Sequence, residues 1–238
     1  MGKTVSFRLP ITIKRGDIDT ATVTLDACTI LSDETLDLYY RDGFAAWHRD
    51  LSRKLSDSRS GLSLFEGTPG TGKTSYLRHL MGALKGSHRF YFIPPSSMSV
   101  LSDPKFIDFW SEQRRTHPDR KFVVVLEDSE AALLTRANDN REQVSAILNL
   151  SDGMLADFLR LQIVCTINCT IAEIDQALLR PGRLLCHRFF RRLDHTEASR
   201  LAESLGKTLV PADDYSLAEV FAGCAVAAKE REQIGFGR

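Results

Sequence analysis

The sequence predicts an α/β fold: a mainly parallel sheet covered by helices on both faces, with a β-hairpin before it and a small helical subdomain after it. Three observations carry this expectation. From Gly61 onward, apolar strand-like runs alternate with helical patterns, the order that builds a parallel sheet under crossover helices. Before residue 32 the apolar period is two, and after Asp194 only helical periods remain. A glycine-rich stretch, "EGTPGTGKTS", sits where the first strand of the alternating region gives way to a helix.

In order along the chain, Val5, Phe7, Leu9, Ile11 and Ile13 share one face of a strand, with Ser6, Arg8, Thr12 and Lys14 on the other. "RGDIDT" reads as a turn and "ATVTLDACTI" as the returning strand, so residues 1–31 form a hairpin extension. Pro10 donates no backbone hydrogen bond, which predicts that the first strand lies on an edge. Between Ser32 and Ser60 the period is helical, with Leu36, Tyr39, Tyr40, Phe44, Trp47 and Leu51 on a single face. Strands follow at "LSLFEG", "HRFYFIPP", "KFVVVLE", "LQIVCTIN" and "LLCHRFF". Helices are expected after Lys73, around Lys105 to Arg114 and around Arg141 to Asn149. The predicted organisation is a hairpin over 1–31, an α/β nucleotide-binding domain over 32–194 and a helical lid over 195–238.

Composition narrows the class. The 238 residues carry 31 basic and 31 acidic side chains, and this neutral balance weighs against nucleic acid as a partner. No apolar run reaches the roughly 18 residues that span a bilayer, and "MGKTVSFRLP" lacks a signal-type core. The five cysteines are odd in number and scattered. Buried free thiols in a reducing, cytoplasmic setting follow from that, rather than a zinc site or a disulfide framework.

The most specific motif is G-x-x-x-x-G-K-[ST], completed by Gly67, Gly72, Lys73 and Thr74. Gly67, Thr68, Pro69, Gly70, Thr71, Gly72, Lys73, Thr74 and Ser75 form the candidate nucleotide-binding loop. Glycines let successive backbone N–H groups face phosphate oxygens, and the helix N-terminus adds unpaired donors. Lys73 is placed to reach the β- and γ-phosphates and the Thr74 hydroxyl to ligate Mg²⁺.

Three further stretches complete a pattern: "FVVVLEDSE", a strand ending in acids; "IVCTINCT", whose end carries Thr166 and Asn168; and "IDQALLRPGR". With these the chain resembles the AAA+ ATPases from about Ser32 to its C-terminus. The resemblance implies ATP and Mg²⁺ as cofactors, with Thr74 and Glu127 as metal ligands. It gives Asn168 the positioning of the attacking water, and it makes Arg180 and Arg183 the arginines that one subunit inserts into its neighbour's site. A ring of about six or seven subunits follows from fingers that act in trans.

The family's usual order at the acidic strand is Asp then Glu, whereas this chain has Glu127 then Asp128. "LED" is similar to the branch that holds the mitochondrial ATPase translocating the Rieske iron–sulfur protein, though this chain has no counterpart of that protein's membrane helix or middle domain. In that branch the reversed pair is the working arrangement, so Asp128 is the expected water-polarising acid. The segment "IPPSSMSVLSD" has neither the aromatic nor the glycine of a peptide-gripping pore loop, and Phe106, Phe109 and Trp110 read as core. Arg200 and Arg231 are equal candidates for a second sensor. The expected function is an ATP-driven ring that remodels or moves a protein partner. A nucleotide-controlled scaffold with weak hydrolysis and a DNA-directed loader are the alternatives.

Overall fold

The computed structural model describes residues 5–14, 17–25, 30–134 and 141–223. Its strands are β1 (Val5–Lys14), β2 (Asp17–Leu25), β3 (Gly61–Glu66), β4 (His88–Phe92), β5 (Lys121–Leu126), β6 (Leu161–Ile167), β7 (Leu184–Phe189), β8 (Leu193–Asp194) and β9 (Asp214–Tyr215). The helices are α1 (Asp33–Tyr40), α2 (Phe44–Asp57), α3 (Lys73–Leu84), α4 (Lys105–Thr116), α5 (Glu130–Leu133), α6 (Arg141–Ser151), α7 (Met154–Leu159), α8 (His195–Ser204) and α9 (Leu217–Ala222). A 3-10 helix spans Pro95–Ser102.

Seven strands form one sheet in the order β2-β1-β4-β5-β6-β3-β7. The five from β4 to β7 pair in parallel. Their residues alternate between two apolar cores, as a sheet covered on both faces requires. Val123 and Val125 join the core beneath α2, α3 and α8, while Phe122, Val124 and Leu126 join the one beneath α4 and α6. Tyr40, Phe44, Phe65, Tyr76 and Phe190 cluster in the first core, and the Arg188 guanidinium lies 4.8 Å from the Phe44 ring centre. Phe106 and Trp110 are buried in the second core, as expected.

Four expectations need correction. β1 is not an edge strand; it lies between β2 and β4, pairing antiparallel with the one and parallel with the other. The register shifts between Leu9 and Ile11, so a bulge at Pro10 absorbs the missing donor. Residues 17–20 belong to β2 rather than to a turn. The helical stretch after Ser32 is two helices, broken at Arg41 and Gly43, both with positive φ; Asp37 Oδ1 then accepts from the Ala45 N–H at 2.7 Å and caps the second. Finally, the segment after Asp194 is not purely helical, because β8 and β9 pair across it. Just before it, Arg191 pairs with Glu197, and Arg192 with Asp214 and Glu219.

Cys165 and Cys186 are buried free thiols and Cys169 is half-buried; Cys28 and Cys224 lie outside the described residues. Among the described residues, no group of acids, histidines and cysteines is arranged to hold a metal by itself, and no helix is long and apolar enough to cross a membrane.

A chain of neutral histidines joins the segment before α1 to α3. The Leu31 N–H donates to His79 Nδ1 at 3.0 Å, so His79 carries its proton on Nε2, which faces His48 Nε2 at 3.3 Å. His48 Nδ1 then donates to the Tyr76 hydroxyl at 2.9 Å. Burial, then the neighbouring His48, pushes His79 down to about 4, against the opposing pull of Asp33. His48 is lowered by burial as well, with Arg49 adding to the effect and Asp33 opposing it. The unfolded chain binds these protons near pH 6.5 and the folded chain does not, so stability is lost as pH falls from about 6.5 toward 4. The melting temperature is expected to drop by about 3 to 6 °C between pH 7 and 5. A His79→Asn chain, whose carboxamide accepts from Leu31 without titrating, should show a shallower dependence.

Candidate nucleotide site

β3 delivers the loop. Its glycines are held by close neighbours: Gly72, with φ 93°, caps α3, and its carbonyl accepts from the Tyr40 hydroxyl at 3.1 Å. Thr71 Oγ1 donates to the Thr68 carbonyl at 2.8 Å, closing the turn on itself. Lys73, on the first turn of α3, is 7% exposed. Its ammonium donates to the carbonyls of Gly67 and Thr68 and, at 2.9 Å, to Asn168 Oδ1. Burial holds the lysine below its usual range, while the charges of Asp128, Glu130 and Glu127 oppose that shift. The loop thus carries a desolvated cation whose charge is countered by three neighbouring carboxylates.

The acids at the end of β5 make separate contacts. Glu127 Oε1 accepts from the Thr74 hydroxyl at 2.6 Å. Asp128 has left-handed backbone geometry, φ 47°, a region that Asp tolerates better than most residues. The conformation is secured by its N–H donating to Thr166 Oγ1 at 3.0 Å, and the carboxylate lines the cavity, accepting from Asn168 Nδ2 at 3.0 Å. The reversed order therefore has a structural account: the longer acid spans the distance to Thr74, and the backbone turn brings the shorter one to Asn168.

The cavity, about 610 Å³, is lined by Pro69, Gly70, Gly72, Lys73, Thr74, Ser75, Asp128 and Asn168 on its polar side, a volume within the range of small-molecule sites. Its apolar wall includes Leu31, Tyr39, Leu217 and Phe221, none of which the sequence alone assigned to the site. Tyr39 and Phe221 meet edge to face at 5.1 Å. Tyr39 carried a signal, an aromatic on a helical face, but that pattern marks core as readily as a ligand wall. The N-terminus of α9 closes the cavity: the Ala218 N–H donates to the Gly70 carbonyl at 3.0 Å.

Gly67, Thr68, Thr71 and Glu127 support the loop without lining the cavity. Arg180 and Arg183 do not line it either. Arg183 Nε pairs with Asp152 at 3.2 Å, and its Nη1 donates to the Ala177 carbonyl at 2.9 Å. Arg180 is exposed and makes no side-chain hydrogen bond among the described residues. Arg200 pairs with Asp42 at 3.1 Å, away from the cavity lining, and Arg231 lies outside the described residues.

The model of the "ATPase family associated with various cellular activities (AAA)" matches residues 63–192, which span the loop, both acids, Asn168 and the two arginines. The chain is similar to the mitochondrial chaperone BCS1 of Homo sapiens and of Bos taurus, 30% identical over 174 residues in each case. Each match covers 69% of this chain and 38% of the relative, so the chain spans well under half the length of either. An AAA-ATPase of Arabidopsis thaliana is 30% identical over 142 residues, covering 59% of this chain and 27% of its own length. Loop, acids, asparagine and arginines fall inside one family's matched segment, and the chain belongs to the AAA family of ATPases.

Proposed function

We propose that this chain hydrolyses ATP as one subunit of a ring of about six or seven copies, and that the ring remodels or moves a protein partner. The observation that carries the reading is the convergence of Lys73, Asp128 and Asn168 on one cavity while Thr74 and Glu127 meet beside it. In this reading residues 32–194 bind the nucleotide, residues 195–238 act as a lid and residues 1–31 extend the sheet.

The hydroxyl of Thr74 and the carboxylate of Glu127 are hard oxygen ligands of the kind Mg²⁺ takes, and they lie side by side, joined by a hydrogen bond; together they would hold the ion. When bound, Mg²⁺ supplies positive charge to the phosphate oxygens. Lys73 exchanges its present carbonyl and amide partners for those oxygens. Asp128, the acid on the cavity wall, takes the proton of the attacking water or orients it, and Asn168 holds that water in line. Arg180, exposed and without a side-chain hydrogen bond among the described residues, is the better placed of the two arginines to enter a neighbour's site. Arg183 must first give up Asp152 and Ala177.

Two features favour a ring that works as a unit over one that threads an extended chain. The segment 95–102 is folded as a 3-10 helix with Met98, Val100 and Leu101 buried, and the aromatic residues after it belong to the core. The BCS1 relatives are named as chaperones, which supports a protein as the partner.

The test is phosphate release from ATP across a wide range of protein concentration, with Arg180→Ala beside the wild type. Specific activity should rise as rings form, and the variant should lose about 10³-fold or more. A specific activity that stays flat with concentration, or an unimpaired variant, would sink the trans-acting ring.

A further inference from the structure

Asn168 is shared among three groups, and only one of them has no other task in the proposed reaction. Its Oδ1 accepts from Lys73 at 2.9 Å, and its Nδ2 donates to Asp128 Oδ1 at 3.0 Å and to Glu130 Oε1 at 3.3 Å. Lys73 is drawn off by phosphate and Asp128 by the attacking water. Glu130 opens the short helix α5, two residues beyond Asp128, and does not line the cavity. Its second oxygen, Oε2, is buried and has no hydrogen-bond partner among the described residues. A buried carboxylate oxygen without a partner is destabilising, so a glutamate held there asks for a use.

We propose that Glu130 is a positioning residue: its Oε1 keeps the Nδ2 end of the Asn168 carboxamide turned toward α5, and so fixes which end of that amide meets the attacking water. A carboxamide can rotate by half a turn and present either its oxygen or its nitrogen to the cavity. A carboxylate accepts hydrogen bonds and donates none when ionised, so Glu130 discriminates between the two orientations even after Lys73 and Asp128 have turned to the nucleotide. A glutamine at this position could accept or donate, and would lose that discrimination. Glu130 also adds its charge to those that counter the desolvation of Lys73, consistent with its place beside the polar cluster.

This role rests on the ATPase reading above, and the experiment separates the two. Steady-state phosphate release would be measured for wild type, Glu130→Ala, Glu130→Gln, Asn168→Ala and the Glu130→Ala/Asn168→Ala double variant, with folding checked by thermal melts. Glu130→Ala is expected to lower kcat by about 10- to 100-fold, with KM for ATP within about twofold of wild type. Glu130→Gln, which folds most conservatively, should show most of the same loss. In the Asn168→Ala background the Glu130 substitution should have no further effect, because the two act as one unit. Additive losses in the double variant, a change confined to KM, or an unchanged kcat in both Glu130 variants would overturn the role. If wild type releases no phosphate at any concentration, the ATPase reading fails first, and this role falls with it.

Discussion

An Asp128→Asn chain is expected to bind ATP as wild type does and to release phosphate about 10² to 10⁴ times more slowly. The substitution keeps the size of the side chain and an oxygen that can accept from Asn168, but removes the group able to take a proton. Binding should survive because the loop and Lys73, which hold the phosphates, do not depend on Asp128 for their geometry; Lys73 keeps Gly67, Thr68 and Asn168 as partners. Glu127→Gln makes the informative contrast. Glu127 meets the Thr74 hydroxyl, so its loss should raise the Mg²⁺ concentration needed for half-maximal rate. Equal rates for Asp128→Asn and wild type would mean that the reversed acids serve binding alone.

Gly67→Ala is expected to destabilise the fold by on the order of 3 kcal/mol, lowering the melting temperature by about 6 to 12 °C. A Cβ at Gly67 would lie 2.4 Å from the Phe190 carbonyl oxygen and 2.9 Å from Thr71 Oγ1. The carbonyl cannot withdraw easily, since the Phe190 N–H is bound to the Glu66 carbonyl at 2.7 Å and the ring is buried in the aromatic cluster. The loop must move instead, which should also weaken nucleotide binding. Gly86→Ala is the control: nothing lies within 4 Å of a Cβ there, and its effect should stay within about 0.5 kcal/mol. Thermal melts of the two variants side by side measure the difference.

What the sequence disclosed and what it withheld divide along the range of the interactions. The loop from Gly67 to Ser75 was legible because its chemistry is local: strand, glycines, lysine and helix are adjacent in the chain. The parallel strands were legible because burial on both faces gives runs such as "FVVVL". The hairpin could be read from its period-two pattern, yet its place beside β4 could not, since periodicity marks a buried face and not the neighbour that buries it. The apolar wall of the cavity was hidden for a related reason. Leu31, Tyr39 and Phe221 come together only when the chain has folded, and each alone is an ordinary apolar residue. Arg183 shows a further limit: a motif gives the residue type, while the contact to Asp152 depends on where α6 ends.

The bond from the Ala218 N–H to the Gly70 carbonyl gives the molecule a mechanical property. At 3.0 Å the contact is an ordinary hydrogen bond, and tilting α9 away from the phosphate loop would lengthen and break it. A Cβ on Gly70 would stand 3.1 Å from Ser216 Oγ and 3.4 Å from the Ala218 Cβ, so the glycine leaves α9 room to come this near. The joint therefore ties the first turn of α9 to the tip of the phosphate loop, and a shift of either one is opposed by the bond to the other.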